Sequence, residues 1–160
     1  MTTPITLDRI DRRILDALMR DATVPVAQLA DRVGLSQTPC WKRVQKLEAA
    51  GVIRARVAVV DPDAVGLGLT VFVEITAADH TPDWRTAFAA VVADCPQILE
   101  VHRMAGDVDY LLKVAVSDMA AYDAFYLDLT ARIPCRNVTS KFSMERMKVT
   151  SILPLDLNSI

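Results

Sequence analysis

Two groups of side chains in this 160-residue chain have the types and spacing to do chemistry. The first is Ser36, Gln37, Thr38, Lys42, Arg43, Gln45 and Lys46, in the stretch SQTPCWKRVQKLEAAG. At about 100° per residue, Thr38, Lys42 and Gln45 share one side of a helix, flanked by Arg43 and Lys46, while Cys40, Val44 and Leu47 share the other. Hydroxyl, amide and cationic groups on an outer helical face suit the major groove of double-stranded DNA. Lysine and arginine meet phosphate or guanine there, and glutamine pairs with adenine. Arg54 and Arg56 follow on one face of an alternating segment, within reach of the phosphate backbone. The second group is MAGDVDY, comprising Met104, Ala105, Gly106, Asp107, Asp109 and Tyr110. Gly106 permits a tight turn. Two carboxylates suit an ammonium group and turn amides suit a carboxylate, which matches the paired charges of a free amino acid.

Each group has an ordinary alternative. A helix with two lysines and an arginine can simply have a solvated face, and aspartates beside a glycine are common in plain hairpins. What favours DNA is the setting of the first group. Val26, Leu29, Ala30 and Val33 form the apolar stripe of a preceding short helix. Gly34 closes that helix and lets Leu35 fold into the core. Ser36 then caps the next helix, with Pro39 in its first turn, where a missing N–H costs nothing. The pattern is a helix-turn-helix.

Other chemistries find less support. No Ser/His/Asp or Cys/His set stands at a recognisable spacing, so no catalytic residue is assigned and an enzyme is not expected. Cys40, Cys95 and Cys135 are odd in number and far apart, and with only His80 and His102 beside them a structural metal site is not expected. Gly66 and Gly68 lack the third glycine of a dinucleotide fingerprint; no cofactor is called for. Trp41, Tyr122, Phe125 and Tyr126 fall at helical spacings and read as packing residues. The N-terminus lacks the apolar core of a signal peptide and no 18-residue apolar run occurs, so a soluble, cytoplasmic protein with no membrane partner is expected.

Charge divides the chain. Residues 1–60 hold ten Lys and Arg against six Asp and Glu, a net of +4, whereas residues 61–160 hold eight against fourteen, a net of −6. This is the pattern of a DNA-binding head on an acidic body with a different partner. After about four unstructured residues, a first helix capped by Thr6 aligns Leu7, Ile10, Ile14 and Leu18, with Asp8 and Arg12 paired across one turn. It completes a tri-helical head. The valine-rich VIRARVAVV after Gly51 reads as a wing strand, giving a winged helix-turn-helix over residues 1–60. Asp61-Pro62-Asp63 opens a linker that runs to Gly68.

From Leu69 to the end, at 160, the order is strand, helix, strand, strand, helix, long strand. This is a ferredoxin-like βαββαβ domain, so the fold class is α+β. Its last strand is expected to run from Asn137 to Leu153. With both helices on one side, the sheet's other side is expected to present several of Val71, Val73, Ile75, Leu112 and Val114 and to be covered by self-association.

LDRIDRRIL, VGLSQTPCWKRVQKLEAAGVI, GDVDYLLKV and SMERMKVTSILPL, in this order, resemble the Lrp/AsnC group of bacterial and archaeal transcription regulators. The resemblance spans nearly the whole chain. It implies a dimer formed through the sheets, further assembly into octamers, and an amino-acid effector held between subunits near the glycine-aspartate turn. By position, the helix-turn-helix falls on Val26 to Gln45. The effector region falls on Met104 to Gly106, Asp107, Asp109 and Tyr110, completed by Asn137, Val138, Thr139 and Ser140. The expectation is a homo-oligomeric, sequence-specific DNA-binding transcription regulator modulated by an amino acid. The rivals are an amino-acid sensor or small enzyme without DNA binding, and an architectural DNA-binding protein.

Overall fold

The computed structural model describes residues 6–156, so the expectation for the first four residues lies outside them. The chain divides into two compact units. One runs through Ala58 and takes in the chain again from Lys148 onward; the other is Val59–Met147. The stretch from Lys148, expected in the second domain, thus belongs with the first.

In the first unit, α1 is Arg9–Arg20, α2 Val26–Val33 and α3 Gln37–Ala49. The cap of α1 is Asp8 and not Thr6: its carboxylate accepts from the Asp11 amide at 2.8 Å, and that of Asp11 accepts from the Asp8 amide at 3.3 Å. This reciprocal box satisfies two otherwise orphaned donors, which a lone threonine two residues earlier could not do. The expected Asp8–Arg12 pair does not form either. Arg12 donates to the carbonyls of Leu7 and Asp156. Gly34 takes φ 75°, and the Leu35 amide reaches back to the Ala30 carbonyl at 2.9 Å, closing α2 as the glycine implied. Ser36 occupies the cap position of α3, but its side chain makes no capping bond.

The core of this unit is Ile14, Leu15, Val24, Leu29, Ala30, Val33, Cys40, Val44 and Leu47. Val52 and Ile53 fold beneath it, both amides donating to the Leu47 carbonyl. Leu155 of the C-terminal segment packs on it as well, and the Leu153 amide approaches the Met19 sulfur at 3.3 Å. The wing strand is absent among the described residues. Residues 54–60 join no ladder, and Val57 and Val59 are largely exposed. The alternation is there, but a strand also needs a neighbour to receive its amides.

The second unit holds β1 (Leu69–Ala77), α4 (Pro82–Asp94), β2 (Ile98–Arg103), β3 (Tyr110–Val116), α5 (Met119–Arg132) and β4 (Cys135–Phe142). Sheet order is β2-β3-β1-β4, with every neighbouring pair antiparallel. Thr81 and Asp118 cap the two helices through their side chains. β4 ends at Phe142, with the Ser143 amide still donating to the Thr70 carbonyl of β1 at 2.9 Å, so the expected long strand to Leu153 is cut short.

Val71, Val73, Ile75, Leu112 and Val114 are all fully buried and pack with Trp84, Phe88, Val91, Tyr122, Phe125 and Leu129 of the two helices. They face the helices, not the open side. Strand alternation then puts Phe72, Glu74, Thr76, Leu111, Lys113, Thr139 and Lys141 on the open face. That face carries ion pairs, Lys113 with Glu100 at 2.7 Å and Lys141 with Glu74, around the half-exposed Phe72.

Candidate functional site

On α3 the buried stripe is Cys40, Val44 and Leu47, so the helix turns Thr38, Lys42, Gln45 and Lys46 to solvent. Ser36 and Gln37 are exposed at its N-terminal end. Among the described residues Lys42 and Lys46 have no acidic partner, which leaves two uncommitted cations on one face. Arg43 is different. Its Nη1 lies 2.7 Å from carboxylate oxygens of both Asp8 and Asp11, and its side chain is two-thirds covered. Those carboxylates neutralise it and hold α3 against the start of α1. Beyond the helix, Arg56 pairs with Glu48 at 2.8 Å, and Arg54 is exposed on an unpaired segment.

Trp41 also differs from its sequence reading. It is 46% exposed, while Tyr122, Phe125 and Tyr126 do pack in the second unit. Placed about 100° from Cys40, it borders the outer face next to Gln45 and Thr38. Helical spacing alone did not separate this flank position from the buried stripe.

The turn from Met104 to Asp109 joins β2 to β3 beside the end of β1. Gly106 has φ 135°, a conformation that favours glycine. Met104, Ala105 and Asp107 are exposed, and Asp107 has no partner among the described residues. Asp109 is engaged. Its Oδ2 accepts from the Ala77 amide at 2.8 Å, its own amide donates to the Ile75 carbonyl at 2.9 Å, and its carbonyl accepts from the Met104 amide at 2.8 Å. Its second oxygen, Oδ1, is 3.8 Å from His80 Nδ1. This carboxylate therefore secures the end of β1, where the pairing with β4 shifts register between Thr76 and Ala77. Tyr110 lies among Trp84 and Phe88, with ring centroids 5.7 and 4.5 Å away.

The strand residues expected to complete this region divide between two faces. Asn137 and Thr139 point to the open side and are linked at 3.0 Å, whereas Val138 and Ser140 point toward the helices, with Ser140 bonded to the Tyr122 hydroxyl. Burial pushes that phenol's pKa up. Across β1, Tyr110 and Val138 both pair with Ile75, so turn and strand flank the same end of β1, about 10 Å apart at two strand spacings. A concavity of about 330 Å³ lies at the other end of β1, lined by residues that include Asp63, Gly68, Thr70, Ser143 and Arg146, whose guanidinium is tied to Asp61 and Asp63. The Gly106 turn itself is open surface.

Cys40, Cys95 and Cys135 are free thiols, each pushed up in pKa by burial and so poorly reactive. Among the described residues no group of His, Cys, Asp or Glu is placed to hold a metal, and no helix is long and apolar enough to cross a membrane.

Residues 7–54 match a family described as winged helix-turn-helix DNA-binding, and residues 70–153 match the Lrp/AsnC ligand binding domain. A glutamate uptake regulatory protein of Zymomonas mobilis is 46% identical over 93% of this chain and 91% of its own length. The DNA-binding transcriptional activator DecR of Escherichia coli is 45% identical over 94% and 99%. Among solved structures, an AsnC family transcriptional regulator from Agrobacterium tumefaciens superposes with TM-score 0.90 at 53% identity, covering 96% of this chain and all of the other. A Neisseria meningitidis regulator solved in complex with L-methionine gives 0.90 at 36%, covering 94% and 98%.

Proposed function

The chain belongs to the Lrp/AsnC family of transcription regulators, and from that premise we propose that it binds DNA through α3 and is modulated by an amino-acid effector. The observation that carries this reading is the outer face of α3, where Thr38, Lys42, Gln45 and Lys46 stand exposed and the two lysines have no acidic partner among the described residues. Lysines with no internal partner are free to displace counterions from phosphate, and threonine and glutamine can read base edges. Ser36 and Gln37 meet the backbone at the helix start, and Arg54 and Arg56 extend the contact. Arg43 acts indirectly, by fixing α3.

The effector occupies the end of β1. Asp107 meets its ammonium group, amides of the turn from Met104 through Gly106 meet its carboxylate, and Asn137 and Thr139 add polar groups from β4. Tyr110, Val138 and Ser140 support this floor from the helix side. A second copy seated on the open face of the sheet, around Phe72 and Leu111, makes a dimer, closes the cradle and builds toward an octamer. Relatives named as regulators favour a non-enzymatic protein acting in the cytoplasm.

Selection from a pool of random-sequence duplexes, followed by gel shift, tests the DNA reading, and a thermal-shift screen of the twenty amino acids tests the effector. An enriched inverted repeat is expected, with half-site centres about one helical turn or a multiple apart, as two-fold symmetry demands. No enrichment overturns DNA reading. A monodisperse 17.6 kDa species that still binds specifically overturns the dimer.

A further inference from the structure

On α3, Cys40, Val44 and Leu47 are buried, whereas the far larger Trp41 is 46% exposed. The contrast with Trp84 is sharp: that indole is 5% exposed, stacks on Phe88 and donates its N–H to the Pro134 carbonyl at 2.7 Å. Among the described residues the Trp41 indole N–H has no acceptor and its ring stacks on no other ring. Leaving so large an apolar surface in water forgoes the gain that burial brings elsewhere in the head.

Its neighbours say what could cover it. Residues three and four apart on a helix are adjacent, so Trp41 lies against Thr38 on one side and Gln45 on the other. These are the groups the proposed function turns toward the groove, and Trp41 stands on the flank away from the Arg43 brace. On the floor of the major groove the thymine 5-methyl is the apolar feature, and O4 beside it is an acceptor. An indole offers an apolar face and a single donor, so it fits that edge better than any other base.

We propose that Trp41 is a sequence-reading residue that lays its ring on a thymine methyl within each half-site and donates its N–H to an acceptor beside it. This rests on the DNA-binding reading above, and the test separates the two. On a duplex selected by the wild-type protein, each thymine of the half-site is replaced in turn by deoxyuridine, which removes the methyl alone. Wild type and Trp41→Ala are titrated against the series, with thermal melting, sedimentation and tryptophan emission followed in parallel.

At one position the wild type should weaken by about fourfold, the worth of one buried methyl group, while Trp41→Ala should not respond there. On the parent duplex Trp41→Ala should bind about tenfold more weakly, the scale of one lost base contact. DNA should quench wild-type emission and leave Trp41→Ala, whose remaining Trp84 is buried, unchanged. Placement at thymine is overturned if a normally melting Trp41→Ala binds and discriminates as wild type does. It is overturned too if the variant loses the same factor on every duplex, or dissociates to monomer because the ring belongs to a contact between copies. A wild type that selects no duplex at all overturns DNA reading and this placement together.

Discussion

The guanidinium of Arg43 sits 2.7 Å from the carboxylate of Asp11, a side chain only 5% exposed. Asp11 is at the same time the reciprocal half of the cap of α1. One arginine therefore ties the helix proposed to enter DNA to the first turn of another helix, and does so through a carboxylate that water cannot easily reach. Removing the arginine leaves that charge buried without its partner. Arg43→Ala should lower the stability of the head by about 2 kcal/mol, the scale of a lost hydrogen bond to a charged group, read as a shift in urea midpoint at constant slope. Its salt dependence of DNA binding should stay as in wild type. A drop of about one unit in that salt slope, with unchanged stability, would show Arg43 on a phosphate instead.

Lys42 and Lys46 should give the opposite pattern. Neither supports the fold through an ion pair among the described residues. Lys42→Ala and Lys46→Ala should melt as wild type does, bind more weakly, and each reduce the slope of log affinity against log salt by about one if they meet phosphates. Titrations at several salt concentrations decide it, and two variants with wild-type affinity would remove α3 from the interface.

Sequence pattern reached the elements whose partners are close in the chain or strongly periodic. β1 was legible residue for residue, because Leu69 to Ala77 follows Gly68 and gives way within two residues to Asp79 and His80, and the helix-turn-helix was legible from Gly34 and the stripes on either side. What failed was direction. Val71, Val73 and Ile75 alternate as any half-buried strand does, but nothing local says which side the helices will cover. Pairing failed as well. The alternation at residues 52–60 and beyond Phe142 is real, yet no neighbouring strand receives it among the described residues. In the candidate site, the turn at Gly106 and Asp107 was legible from the glycine. The roles of Asp109 and Arg43 were not, because their partners, Ala77 and Asp11, are 32 residues away in each case.

Acid should loosen the head in a defined way. The amide of Asp11 first, and then the Arg43 guanidinium, hold the Asp8 carboxyl below its ordinary value of 3.8. A lowered folded value means the stabilisation is complete above the unfolded value and is lost as pH falls through the folded one. Asp8 is half exposed, so screening limits the gain to roughly 0.5 kcal/mol. Asparagine caps nearly as well as aspartate, so Asp8→Asn isolates the charge. The stability gap between wild type and Asp8→Asn should be constant near neutrality and close below about pH 3.8. A gap that persists at pH 2 in urea melts would show that the charge contributes nothing.

Two carboxylates two residues apart should prove to have unlike tasks. Asp109 accepts from the amide of Ala77, a residue 1% exposed, at the register shift that ends β1. Asp109→Ala strands that amide and should cost about 1–3 kcal/mol, while Asp109→Asn keeps an acceptor and should recover most of it. Asp107 is exposed and without a partner among the described residues, so Asp107→Ala should change stability by less than about 0.5 kcal/mol. Its loss should instead abolish amino-acid binding in titration calorimetry and leave ligand-free DNA binding nearly normal. Gly106→Val offers a third arm. A Cβ at Gly106 meets nothing within 4 Å, so any loss comes from the φ of 135° and not from a clash. Valine should distort the turn and weaken the effector through geometry alone. An amino acid that binds Asp107→Ala and Gly106→Val as it binds wild type would place its site elsewhere and leave this turn an ordinary hairpin.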